Sequence, residues 1–396
     1  MHTSAASLLA FAASVQAVYK GFNYASTNGD KSPRTAADFT EYFKTAQKLV
    51  GTSGFSSARL YTMIQAGTTA DPISAIDAAI ATNTTLLLGL WASGDGYPNE
   101  LNALKAAIAK YGSTLSNIVA GISIGSEDMY RISPIGIAAK SGLGLDPDTL
   151  VSYIKQAREV VAGTPLAAAR FGHVDTSNAW VNASNAAVAE AVDWIGMDAY
   201  PFFETTMTND IGSAKGLFEK AINEVKAATG NKELLITETG WPISGPSQNL
   251  GVASLDNAEM FWQEVGCAVF DKISTWWYIL SETGAEPDFS VVVDPSNPTP
   301  KYNLVCKSNA GLNLAGASTS SATATTVTST NSTSGQGFNS ASSSNSSSSG
   351  SGSSSNPGSG TSTAPTTTGT PHSAANAKFF SAGAAVVAVL AAVLAL

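Results

Sequence analysis

The 396-residue chain carries 30 acidic against 21 basic side chains, a formal net charge of −9, with two cysteines and three histidines. That balance leaves no basic surface to gather a nucleic-acid backbone, and two cysteines exclude a zinc site built from several thiolates. Composition changes sharply near residue 315. Beyond it, through about Pro371, the chain is nearly all Ser, Thr, Gly, Ala and Asn, too poor in apolar surface to offset the entropy of ordering. One folding unit is therefore expected before that point, ample for a buried core.

Residues 1–17 read as a signal peptide: an apolar stretch ends in the small-x-small pattern Val15-Gln16-Ala17. Strand-like apolar runs then follow at 18–25, 56–63, 85–92, 118–127, 165–171, 193–200, 233–240 and 275–282. Between them lie segments of helical periodicity, at 35–50, 73–83, 101–112, 147–163, 185–192, 214–230 and 255–270. Near-continuous apolar strands separated by helices predict parallel pairing with both faces covered. Eight units over this length predict an α/β fold of the (β/α)8 TIM-barrel type for residues 18–314. An open doubly wound sheet is the alternative, but the first strand, GFNYAST, enters no Gly-rich phosphate loop. A Ser/Thr/Gly-rich stalk, 315–372, and an apolar tail, 373–396, complete the chain. The tail has the layout of a lipid-anchor attachment signal, with Ser373 as the attachment residue; a transmembrane tail is the rival reading.

Secretion fixes how Cys267 and Cys306 are read, as an extracellular disulfide closing the end of the domain. Sequons at Asn83, Asn182, Asn331 and Asn345 fit a secreted glycoprotein. No metal or cofactor is expected, and the protein is expected to be a monomer held at the cell surface by its lipid anchor.

In a barrel of this kind the chemistry sits where strands end. Those positions hold Arg59 and Tyr61 on the second strand, Glu127 on the fourth, Asp198 and Tyr200 on the sixth, Glu238 on the seventh and Glu282 on the eighth. A Ser-His-Asp triad would have to use His173 and Asp175, and no G-x-S-x-G elbow exposes a serine; a hydrogen-bonded wall residue is the simpler reading of that histidine. Carboxylates remain. Glycoside hydrolysis needs only two of them, one protonated to assist the leaving oxygen and one ionised to attack or to activate water. Trp91, Trp241, Trp277, Tyr61 and Tyr200 lie at or just beyond strand ends, where they either offer faces to sugar rings or fill the core.

The segments GFNYAST, SARLYTM, GISIGSEDMYR, MDAYPFFE, ITETGWP and WWYILSE, in barrel order, resemble the family 17 glycoside hydrolases over roughly residues 20–306. Within that family the resemblance is to the fungal lipid-anchored glucan endo-1,3-β-glucosidases. It implies a retaining hydrolase of β-1,3-glucan, with Glu127 as proton donor and Glu238 as nucleophile. Related barrel glycosidases commonly place Asn before the acid, where this chain has Ser126, whose shorter side chain reaches a sugar 2-hydroxyl only through water or a shifted sugar. A glucan transglycosylase would use the same two carboxylates, and a non-catalytic glucan-binding wall protein is the reading from outside enzymes.

Overall fold

The computed structural model describes residues 17–230, 232–307 and 311–314. The expected signal peptide up to residue 16, the stalk, the anchor segment with Ser373, and the sequons at Asn331 and Asn345 lie outside the described residues. Eight parallel strands among the described residues close into a barrel in chain order: β1 Lys20–Tyr24, β2 Phe55–Leu60, β3 Thr85–Leu90, β4 Val119–Ile124, β5 Phe171–Thr176, β6 Trp194–Asp198, β7 Glu233–Glu238 and β8 Thr275–Trp277. The sequence places seven of them within a few residues. The fifth is displaced, because the run at 165–171 is turn, and the strand begins at Phe171. That run is rich in alanine, which packs a pleated surface poorly. The strand itself carries His173 and Asp175, whose polarity hides it from a reading based on apolar runs; both are fully buried because they bond to each other and to neighbouring backbone.

The barrel interior is filled by Leu87, Val174, Trp194, Leu235 and Trp276, one from each of five strands. Gly172 makes room for this layer, since a Cβ there would fall 2.2 Å from the Trp194 ring. Outside, helices bury their apolar faces on the strands. The helix Ala36–Gln47 is started by a reciprocal capping box between Thr35 and Asp38 and lays Phe39, Tyr42, Phe43 and Ala46 against the barrel. Asp146 and Ser254 cap the starts of the helices Pro147–Val161 and Leu255–Phe261 by a one-way bond, each side chain accepting from the backbone N–H three residues on, that of Thr149 and of Asn257.

The last helical segment, expected as one helix over 255–270, passes through a wider π turn at Trp262–Gly266 before Cys267–Val269. Cys267 is bonded to Cys306, 39 positions along, as expected, with the Cα atoms 5.6 Å apart. Closing a loop of that length contributes about 3–4 kcal/mol by restricting the unfolded chain. Asn83 and Asn182 are both exposed.

Candidate active site

Arg59 holds the centre of the barrel mouth. It lies two residues beyond Ser57, which accepts from the Trp276 indole inside the barrel, so the alternation of β2 points Arg59 and then Tyr61 inward. β1 and β2 are paired so that Asn23 is level with Arg59. The guanidinium donates from Nη1 to Asn23 Oδ1 at 2.9 Å and to Glu238 Oε1 at 2.5 Å, and from Nη2 to Ser126 Oγ at 2.9 Å. One side chain thus ties the ends of β1, β4 and β7 together. Asn23 completes the cradle by donating to the carbonyls of Thr237 and Trp276, at 3.1 Å each.

Glu238 reaches this place through an irregularity of β7. Met197 is level with Ile236, but Asp198 is level with Glu238, so Thr237 is one residue extra. Leu235 belongs to the interior layer and Ile236 to the helix-facing core; strict alternation would send Glu238 outward with Ile236. Instead Thr237 turns its hydroxyl to Asp198 Oδ1 at 2.7 Å, while Glu238 also enters the mouth. There Glu238 accepts from Arg59, from Tyr61 at Oε1 (2.7 Å) and from Tyr200 at Oε2 (2.7 Å). Burial, and then the Glu238 charge, raise both phenols well above their usual range, so both remain neutral donors.

Glu127 is built differently. It follows β4 in a left-handed conformation, φ 56°, and its backbone N–H donates to the Val174 carbonyl at 2.8 Å. Its Oε1 has no hydrogen-bond partner among the described residues, and Oε2 lies 4.0 Å from Arg131 Nη2. Burial pushes its carboxyl up to about 8, against the pull of Arg131 and with the repulsion of Glu238 and Asp175 adding to it. Arg131 is itself fixed over the ring of Trp91, 4.7 Å from its centroid. Behind Glu127 the turn is locked: Asp128 accepts from the Ser126 N–H at 2.8 Å, and Asp175 accepts from the Met129 N–H at 2.9 Å. His173 joins Asp175 to the Ile124 carbonyl, which is the wall role expected of it.

Two pockets are lined by the phenols that hold Glu238, one by each. One, about 160 Å³, is lined by Arg34, Tyr42, Tyr61, Tyr278 and Glu282 among others. Tyr278 donates to Glu282 at 3.1 Å, and burial lifts the Glu282 carboxyl to about 7. The other, about 50 Å³, is lined by Tyr130, Thr176, Asn178, Asp198, Tyr200 and Glu204 among others. Tyr61 lines the first pocket and Tyr200 the second, and both donate to Glu238. The strand-end residues Arg59, Tyr61, Ser126, Glu127, Asp198, Tyr200, Glu238 and Glu282 are therefore gathered in one region.

Trp241 and Trp277 are not brought to it. Trp241 is buried against Phe202 and Phe261 and donates to the Val252 carbonyl; Trp277 packs among Phe261, Trp262 and Phe270 on the helix side of the barrel. Of the tryptophans named from the sequence, Trp91 is the one left partly open at the mouth. Sequence reasoning missed Asn23, Arg34, Tyr130, Arg131 and Tyr278. Asn23 and Tyr278 were within reach, since each sits at a strand's carboxyl end; Arg34 lies in a loop with no local signal.

A closed (β/α)8 barrel whose mouth collects two carboxyl groups, one held by three hydrogen-bond donors and the other, among the described residues, only by an ion pair at 4.0 Å, has the form of a carboxylate-based glycosidase. The BtgE/BtgC glycoside hydrolase domain matches residues 21–285, and the chain belongs to that family of glycoside hydrolases. Among curated relatives, a probable glucan endo-1,3-β-glucosidase of Emericella nidulans is 56% identical over 305 residues, covering 76% of this chain and 65% of that one. A protein of the same description from Aspergillus oryzae is 55% identical over 318 residues, covering 79% and 68%. The chain spans about two thirds of the length of these relatives. Among solved structures, a glycoside hydrolase family 17 β-1,3-glucanosyltransferase from Rhizomucor miehei superposes with a TM-score of 0.59 at 24% identity, covering 73% of this chain and 98% of that one, a likeness of fold.

Proposed function

We propose that the protein is a retaining endo-hydrolase of β-1,3-glucan, with Glu127 as proton donor and Glu238 as nucleophile. The asymmetry of the two carboxyl groups carries this reading. A guanidinium and two phenols donating to Glu238 match an ionised carboxylate, whereas buried Glu127, with a free Oε1, is kept protonated at neutral pH. In the first step Glu238 attacks the anomeric carbon as Glu127 gives its proton to the leaving oxygen, forming a glycosyl ester. In the second, Glu127 takes a proton from water as that water attacks, and Glu238 leaves as a carboxylate. The glucan specificity comes from the relatives' descriptions and the six sequence segments. Treating a laminari-oligosaccharide with the protein and following the new anomeric signal by NMR tests the whole: the β product appearing first supports retention, and the α product first would refute it. Products longer than the substrate would instead identify transfer to sugar.

The Glu127 role has its own signature. Glu127→Gln is expected to lower kcat/KM on glucan by about 10²–10⁴-fold, and far less on aryl glycosides whose leaving groups need no proton. Because the acid works only while protonated, wild-type kcat/KM on glucan should fall as pH rises through about 8. Equal loss on both substrates would count against Glu127 as the acid.

Secretion and a lipid anchor at the cell surface belong to the same proposal and rest on the sequence signals at the two ends. Release of the protein from membranes by phosphatidylinositol-specific phospholipase C is the expected result; retention after complete cleavage would favour a transmembrane tail.

A further inference from the structure

Asp198 has a place in the site that the two-carboxylate reaction does not use. It is almost completely buried, and its Oδ1 is spoken for by the Thr237 hydroxyl. Its Oδ2 has no hydrogen-bond partner among the described residues. The same is true of the buried Tyr130 hydroxyl. Both side chains line the smaller pocket, whose volume of about 50 Å³ is several times the roughly 10–15 Å³ that a water molecule needs. Two unsatisfied buried polar groups beside one cavity mark a place where a hydroxyl-bearing ligand would complete the hydrogen bonding.

The charges around Asp198 decide what it can offer. Glu238 stands level with it on β7, and Glu127 adds a second carboxyl from the end of β4. Tyr200 on its own chain extension, and Tyr130 and Glu204 across the pocket, bring no positive charge. Arg59 is the cation whose field reaches it, yet among the described residues its side-chain hydrogen bonds go to Asn23, Glu238 and Ser126, not to Asp198, and its Nε has no partner. A carboxylate with one hydrogen bond, no paired cation and another carboxylate beside it is too costly to bury.

We propose that Asp198 is a neutral carboxylic acid in the resting site, and that its Oδ2–H donates a hydrogen bond to a sugar hydroxyl entering the pocket it shares with Tyr130. Burial, reinforced by Glu238, holds this carboxyl well above the usual range, in agreement. The proton stays on Asp198 throughout; it is not the one transferred by Glu127. Asp198 is thus a binding residue that selects a hydroxyl-bearing ring position, and placing a sugar there rests on the glucan reading above.

Two measurements test the two halves. Infrared difference spectra between Glu127→Gln and Glu127→Gln/Asp198→Asn at pH 6 read the protonation state without substrate. Loss of a protonated-carboxyl band is expected; loss of a carboxylate band would overturn the proposal whatever the protein hydrolyses. With laminari-oligosaccharides, Asp198→Asn, which still donates from its amide, should raise KM by less than about 3-fold, while Asp198→Leu should raise it about 10-fold or more. Equal KM values for the two variants would remove the donor role, with thermal melting used to confirm that both are folded. Failure of wild-type protein to act on any β-1,3-glucan would instead sink the glucan reading, leaving the infrared result to stand on its own.

Discussion

Replacing Glu238 with Gln should lower the rate on β-1,3-glucan by on the order of 10⁴-fold or more while the barrel stays folded. The fold survives because an amide can meet the same donors. Its oxygen can take the place of Oε1, accepting from Arg59 and Tyr61, and its NH2 can face Tyr200, whose hydroxyl rotates to accept. The nucleophile does not survive, since an amide oxygen forms no glycosyl ester. A stronger form of the test shortens the side chain. Glu238→Gly leaves a space at the attacking face into which azide can enter, and with an activated aryl β-glycoside the expected product is the α-glycosyl azide. That product arises only if the missing group attacked the anomeric carbon. A β-azide, or activity unchanged by the substitution, would show that Glu238 is not the nucleophile.

The strands were legible because burial on both faces writes them as uninterrupted apolar runs, and seven of eight appear where such runs lie. β5 was not, because its buried polar pair, His173 and Asp175, is stabilised by partners far along the chain. The same limit applies within the site. Glu238 was visible as a carboxylate after an apolar run, yet its direction depends on the extra residue in β7, which shows only in the pairing with β6. Strand alternation also separates the neighbouring tryptophans of β8. Gly21 is level with Trp276 and Phe22 with Trp277, so Trp276 fills the barrel and Trp277 faces the helices. A sequence that reads WW at a strand end does not say which ring points where until its register against β1 is known.

Arg59 is the residue whose loss should cost the fold most. It is 1% exposed, as a side chain, and Glu238 is 0% exposed, so the pair has almost no water to fall back on. In Arg59→Leu, Glu238 would keep two phenol donors but lose its counter-charge, and Asn23 Oδ1 and Ser126 Oγ would lose the donor they share. Removing one partner of a buried pair typically costs about 3–5 kcal/mol, because the remaining charge is left desolvated. Chemical denaturation should show that loss as a lower midpoint with an unchanged slope. Removing both charges separates this cause from lost packing. In Arg59→Leu/Glu238→Leu no charge is stranded, and the double variant should be more stable than Arg59→Leu alone, with a coupling of about 1–3 kcal/mol. A single variant within about 1 kcal/mol of wild type, the scale of an exposed ion pair, would mean that water or another group reaches Glu238. A double variant no better than the single would place the cost in packing around the Arg59 stem instead. If both results come out as expected, the guanidinium that holds Glu238 in the mouth also supports the barrel's stability, and Arg59→Lys cannot replace it. A single ammonium cannot reproduce the planar fork that spans Asn23, Ser126 and Glu238 at once.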